Sequence, residues 1–304
     1  MKAVIQIIIL QWLCFFAVAQ KQSNHQSIAH LELPAIGKGD NVVYHLGYSL
    51  LYSEQHENPK WVAYELTSNE TQRAFERTNK FLEDPFVSTG TADDFDYKGS
   101  GFDRGHLAPA ADMGWSEVTM KESFYYSNMS PQLPGFNRGI WKKLEEQVRG
   151  WAQDYDSIYI VTGPVLKEGL SKIGHNDVSV PEYYYKVILD YTLPDIKAIG
   201  FILPNESSTE SLHQFAVSID SVEKFTGINF FPQLPDIKEK ELEGQLCLPC
   251  WSWDTKTIVR KSQHKSSGSS IQCKGTTKAG NRCRNNTKNS SGFCMHHENQ
   301  AGSY

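Results

Sequence analysis

Asp103-Arg104-Gly105-His106 places a guanidinium and an imidazole two residues apart, so on an extended segment both side chains face one way. Gly105 between them allows backbone or substrate to come close. An imidazole with an ordinary pKa near 6.5 is neutral at pH 7 and can take a proton from water. Downstream, Asn137, Trp141, Glu145 and Arg149 recur at four-residue intervals, and in a helix each such step turns only about 40° around the axis. A helix starting near Asn137 therefore presents an amide, a carboxylate and a guanidinium on one face, with Trp141 between that face and the buried one. Taken alone, Glu145 and Arg149 also read as a surface ion pair, and Asn137 as a helix N-cap.

The elements that must hold these residues are legible around them. Residues 41–52 and 61–67 are β-branched and aromatic runs joined by the turn-forming His56-Glu57-Asn58-Pro59, which predicts a hairpin. A polar stretch, residues 68–101, follows, with a short helix expected around residues 70–78. Over residues 138–151, Trp141, Leu144, Val148 and Trp151 are spaced by three and four, the pattern of a helix with one buried face. Residues 157–162, 183–191 and 196–203 read as strands, and residues 218–226 open like a helix. Strands and helices mixed without βαβ alternation predict an α+β domain around a central, mainly antiparallel sheet flanked by helices.

Other chemistries lack their signatures. The chain offers no Gly-x-Ser-x-Gly elbow for serine hydrolysis and no Gly-x-x-x-x-Gly-Lys loop for a nucleotide phosphate. At 304 residues, 39% hydrophobic and 21% charged, it can bury a sizeable core in one large domain or two modest ones. Beyond the N-terminus there is no 18-residue uncharged stretch, which excludes a multi-span membrane protein.

The motif set extends well past the tetrapeptide. It includes Trp61-Val62-Ala63-Tyr64-Glu65-Leu66-Thr67, Phe81-Leu82-Glu83-Asp84-Pro85, Ser127-Asn128-Met129-Ser130-Pro131-Gln132, Phe136-Asn137-Arg138-Gly139, Val161-Thr162-Gly163-Pro164, and Gly200-Phe201-Ile202-Leu203-Pro204-Asn205. In these the sequence resembles the DNA/RNA non-specific endonucleases of the ββα-metal class, the endonuclease G-like group, across residues 40–235. The resemblance implies a ββα-metal fold and cation-dependent hydrolysis of phosphodiester bonds in DNA and RNA. It also implies His106 as general base and Asn137 as the direct ligand of a divalent cation, Mg²⁺ or another such as Mn²⁺. Glu145 would orient the waters of that ion, while Arg104, Arg149 and Arg77 would meet phosphate oxygens. Asn128 would support the loop leading to the metal helix, and a homodimer is common in such proteins. Asp103, expected to point away from His106, is open to a structural or a catalytic role. Contacts to phosphate and sugar carry little sequence information, so base selection should be weak. The rival reading is a catalytically silent nucleic-acid-binding protein.

Both ends of the chain carry further signals. Lys2 precedes an apolar run, residues 3–18, that ends in Ala17-Val18-Ala19. This pattern predicts a signal peptide over residues 1–19, a secreted or periplasmic location and no stable membrane association after cleavage, with an N-terminal anchor as the alternative. Residues 28–260 form the expected endonuclease domain, and the Ser-rich residues 261–271 a flexible linker. Residues 272–298 form a small module in which Cys273, Cys283, Cys294 and His297 are separated by nine, ten and two residues. That Cys₃His set is a structural zinc pattern, and a piece this small needs a staple; disulfides with one leftover thiol, and His296 as a ligand, are the alternatives. Cys247 and Cys250 are expected to form a disulfide. Residues 261–304 carry seven basic side chains against Glu298, a balance of +6, and with Lys2 also removed from the whole-chain −5 the remaining residues 20–260 stand at −12. The basic module is open to two readings, a tether for nucleic acid or a solvated tail. The acidic body must bind a polyanion through a local basic cleft and its cation.

Overall fold

The run at residues 41–52 does not form one strand. The His45 N–H donates to the Tyr48 carbonyl at 2.9 Å, and this turn divides the run into β1 (Val42–Tyr44) and β2 (Ser49–Ser53). The expected hairpin partner follows as β3 (Asn58–Thr67). In this computed structural model the described residues are 28–253 and then 271–276, 282–283, 286–287, 291–293, 297 and 300. The signal expected over residues 1–19, most of the linker expected over 261–271, and Cys294 and His296 lie outside them.

Along the chain come the single-turn α1 (Asp94–Tyr97), β4 (Asp103–His106), α2 (Glu117–Glu122), β5 (Met129–Gln132), α3 (Lys142–Asp154), β6 (Ser157–Pro164), β7 (Lys172–Ile173) and β8 (Val178–Ser179). The long strands β9 (Tyr183–Asp190) and β10 (Lys197–Pro204) precede β11 (Ala216–Val217), α4 (Ile219–Thr226) and α5 (Asp236–Gly244). The chain divides into two units, Met1–Trp253 and Asp254–Tyr304. In the second unit, β12 (Ile271–Gln272) pairs antiparallel with β13 (Asn286–Thr287).

The first unit is an α+β fold around a seven-stranded, wholly antiparallel sheet in the order β1-β2-β3-β6-β9-β10-β11. Both faces are covered, which explains why β6 and β9 read as near-continuous apolar runs rather than alternating ones. On one face Tyr64, Ile160, Ile188 and Phe201 pack with Leu144, Val148 and Trp151 of α3. Burial of each of these three helix residues contributes about 1.5–3 kcal/mol. On the other face Ala63, Val161, Val187 and Leu189 pack with Ile219 and Val222 of α4, with Phe230 and Phe231, and with Leu242 of α5. Helix α4 starts where Ser218 accepts a hydrogen bond from the Ser221 N–H and stops at Gly227, whose φ of 74° ends the helical path. Among the described residues no helix is long and apolar enough to cross a membrane.

The short helix expected around residues 70–78 does not form. The Ala74 and Phe75 N–H groups both donate to the Gly114 carbonyl at 2.9 Å, a tertiary acceptor in place of the carbonyl one turn back. The segment therefore runs as an irregular strap toward α3, and this route delivers Arg77 to the cleft described next.

Candidate active site

β4 pairs antiparallel with β5, Gly105 opposite Ser130 and His106 opposite Met129. The hairpin then leads into α3, giving a β-β-α unit on the face of the sheet that α3 covers. Gly105 has a local reason to be glycine: a Cβ there would lie 2.2 Å from the Gln132 side chain. The close approach is thus made by a neighbouring strand's side chain.

His106 ends β4 and is 7% exposed. Its ring packs edge-on against Phe124, with centroids 4.8 Å apart, and near Phe81 at 5.9 Å. Its Nε2 has no hydrogen-bond partner among the described residues. Burial, and secondarily the positive charge of Arg77, push its pKa down to about 3, against a weaker pull from a hydrogen bond to the Arg104 backbone. The ring is therefore neutral at pH 7 and can accept a proton at Nε2.

Asn137 lies in a wide turn, Phe136–Trp141, that departs from helical geometry at Gly139 (φ −105°, ψ −111°). This turn is π-helical and runs directly into α3 at Lys142, so a helix does start near Asn137 as expected, but it is wider-wound and kinked there. The cause is tertiary. The Asn137 Nδ2 donates to Asp103 Oδ2 at 2.9 Å, and the Arg138 Nε donates to the same oxygen at 2.8 Å. Asp103 thus ties the turn to β4 and occupies the NH₂ of the amide, leaving the amide oxygen as the free donor atom. Burial works against the Asp103 charge, but the hydrogen bonds from Arg138 and Asn137 hold its carboxyl below the usual range.

The arginines are held from behind. Arg104 Nη2 pairs with Asp94 Oδ1 at 2.6 Å, its Nε donates to the Tyr126 hydroxyl at 3.0 Å, and its guanidinium lies 5.0 Å from the Phe81 ring centroid. Arg77 Nε donates to Asn79 Oδ1 at 2.7 Å, with the guanidinium 4.9 Å from the Phe124 ring centroid. Arg149 pairs with Asp112, which is buried and also accepts the Tyr64 hydroxyl at 2.9 Å. Fixing each fork in advance lowers the ordering cost of meeting a phosphate.

Glu145 is half-buried beside this set. Burial raises its pKa, and the charges of Lys186 and Arg149 oppose that rise. Lys186 is fully buried on β9, and its Nζ has no hydrogen-bond partner among the described residues and lies 4.8 Å from the Trp141 ring centroid. Burial lowers its pKa, and the Glu145 charge is the largest influence in the other direction. Sequence reasoning passed over Lys186 and Asp112. A lone lysine in the apolar run Tyr183-Tyr184-Tyr185-Lys186-Val187-Ile188 was the available signal, since period two puts it on the face of Tyr184 and Ile188, under α3.

Arg77, Arg104, His106, Asn137, Glu145 and Arg149 all line one cleft of about 350 Å³. Larger hollows exist, of about 630 and 530 Å³, but neither gathers such a set. Asn128 does not line the cleft. Its amide is fully buried, with Oδ1 accepting the Ala108 N–H at 2.8 Å and Nδ2 donating to the Ala108 and Ser123 carbonyls at 2.9 and 2.8 Å. It pins the chain just after His106. Elsewhere, Cys247 and Cys250 are joined by a disulfide, and in the second unit Cys273, Cys283 and His297 bring their ligand atoms within 4.8 Å of one another.

Comparison with known proteins identifies the relatives of this chain. The family described as DNA/RNA non-specific endonuclease matches residues 29–237. The zebrafish (Danio rerio) protein named "Nuclease EXOG, mitochondrial" is 35% identical over 242 residues, covering 74% of this chain and 69% of its own. Human "Endonuclease G, mitochondrial" is 35% identical over 202 residues, covering 62% and 68%. A solved EndoG/EndoGI complex, described as showing the mechanism of EndoG inhibition, superposes with a TM-score of 0.61 at 32% identity over 67% of this chain and 90% of that one. These relatives also correct the expected location: both named enzymes are mitochondrial, so the secreted or periplasmic placement read from residues 1–19 is withdrawn. With the family matched over more than half its length, the chain belongs to the DNA/RNA non-specific endonucleases and is a nuclease that hydrolyses phosphodiester bonds.

Proposed function

We propose that the cleft cuts DNA and RNA without regard to sugar, with His106 as general base and Asn137 as the protein ligand of a divalent cation. One observation carries this reading: a neutral, buried imidazole whose unpartnered Nε2 belongs to the same cleft as Asn137 and Glu145. The donor set fits a hard ion, because an amide oxygen and a nearby carboxylate are the oxygen donors that Mg²⁺ takes while keeping several waters. When bound, that ion supplies positive charge at the phosphate and the departing 3′ oxygen.

This chain's own residues do the rest. His106 Nε2 takes the proton of the attacking water. Asp103 holds the Asn137 NH₂, so the amide oxygen stays turned toward the cation position. Glu145, whose pKa burial raises while Lys186 and Arg149 pull it back, accepts hydrogen bonds in its ionised form from water beside that position. Arg149, Arg104 and Arg77 bind non-bridging phosphate oxygens, whose charge grows in the transition state. None of these groups reads a base edge, in keeping with weak sequence selection. A plasmid-nicking assay tests the proposal: cleavage should stop in EDTA and return with added Mg²⁺, while DNA binding without cleavage in Mg²⁺ would overturn it.

We further assign the chain an organisation of a nuclease domain (residues 28–260), a linker (261–271) and a Cys₃His module (272–298). In that module Cys273, Cys283 and His297, together with Cys294, hold structural Zn²⁺. The convergence of the first three ligands supports this. Elemental analysis of the full-length protein should find one zinc per chain, and a ratio near zero would remove the assignment.

A further inference from the structure

The sheet face opposite the cleft carries a second group of acids. Asp220 and Glu223 are three apart on α4 and so project from one side of it. Glu243 comes from the last turn of α5, which packs against α4 on that face. Oxygens of the three carboxylates lie within 4.8 Å of one another. Acidic groups at a surface often mean nothing, but this group is not simply at the surface. Glu243 is only 5% exposed, and its Oε1 is buried with no hydrogen-bond partner among the described residues.

The charges there are uncompensated. Among the described residues no lysine, arginine or histidine forms an ion pair with Asp220, Glu223 or Glu243, and Lys238, on the same helix as Glu243, pairs with Glu241 at 3.2 Å. Glu223 has one oxygen engaged, accepting the Phe230 N–H at 2.8 Å. Burial, and then the charges of Glu223, Glu239 and Asp220, push the Glu243 pKa up to about 8. Leaving a buried carboxylate among like charges is costly unless a cation or a proton joins it.

We propose that Asp220, Glu223 and Glu243 form a Ca²⁺ site that clips α5 to α4. The donors are all hard oxygens, which excludes the thiophilic metals. Calcium binds six to eight oxygens at about 2.3–2.6 Å, so oxygens on one ion lie at most about 5 Å apart, as these do. Its tolerance of irregular and bidentate carboxylate geometry suits acids drawn from two helices, whereas Mg²⁺ demands a near-ideal octahedron. Asp220 is exposed, which leaves the outer side of the ion to water. The family match ends at residue 237, so Glu243 and most of α5 lie beyond it, and the clip is independent of the catalytic cation on the other face.

The test is thermal unfolding of the full-length protein after chelation, with and without Ca²⁺ at about 10 mM, a level that fills even millimolar sites. Asn137→Ala serves as background, to remove the site in the cleft. Calcium should raise Tm by about 4 °C. The rise should vanish in Asn137→Ala/Glu243→Gln and in Asn137→Ala/Asp220→Asn, while Glu243→Gln alone still cleaves DNA in Mg²⁺. Glu243→Gln keeps the shape of the side chain and removes repulsion, and Asp220 is exposed, so both variants should fold. An unchanged Tm in Ca²⁺, the sign of a proton shared between Glu243 and its neighbours, would overturn the proposal. So would a rise that survives in Asn137→Ala/Glu243→Gln.

Discussion

His106→Ala is expected to lower kcat by at least ~10²-fold at neutral pH, with DNA binding little changed, because the variant loses only the group that takes the proton. The environment of the ring makes a second, linked expectation. An unfolded imidazole titrates near 6.5 and this one near 3, so between those values the unfolded chain binds one more proton than the folded chain. Stability from this source is fully present above about pH 6.5 and is lost as pH falls toward 3. Denaturant midpoints measured from pH 7 to 4 should therefore decline less steeply for His106→Ala than for the parent protein. Activity should likewise show no inflection near 6.5 that belongs to His106. Full activity in the alanine variant would end the assignment of this residue as the base.

Asn137→Ala is the other large effect. It removes the only amide oxygen in the cleft aimed by Asp103, and the expected loss is again at least ~10²-fold in kcat/KM, since charge stabilisation by a bound cation is worth several kcal/mol. The signature that separates this from damage to the fold is the metal dependence. The Mg²⁺ concentration for half-maximal activity should rise steeply in Asn137→Ala, and by a smaller factor, about 10- to 100-fold, in Asp103→Ala, which only orients the ligand. It should stay unchanged in His106→Ala. If Asn137→Ala kept the parent's Mg²⁺ requirement, the cation would have to sit elsewhere.

Much of this was written locally. The β9 and β10 runs, the 3-and-4 spacing of Leu144, Val148 and Trp151, and the Ser218 and Gly227 boundaries of α4 are properties of neighbouring residues, and periodicity reads them directly. Where an acceptor from a distant part of the chain competed, local reading failed or fell short. Gly114 took the N–H groups that a helix at residues 70–78 would have used internally, and Asp103 tied down the wider-wound, kinked turn around Asn137. The motif around Asn128 does not say which backbone it holds, and only the fold brings the Ala108 N–H and carbonyl to the two ends of its amide.

The sequence by itself determined the main chemical types in the cleft, one imidazole, one amide, one carboxylate and three of its four guanidiniums, because their identity and the family pattern lie along the chain. Only the tertiary structure decided their states. Burial against Phe124 with Arg77 alongside sets His106 neutral, Asp103 engages the NH₂ end of Asn137 and leaves its amide oxygen free, and Lys186, from the middle of the sheet, opposes the cost of burying Glu145. Solvent exclusion and charge act through space, between residues as far apart as 145 and 186, and no spacing rule along a chain contains that distance.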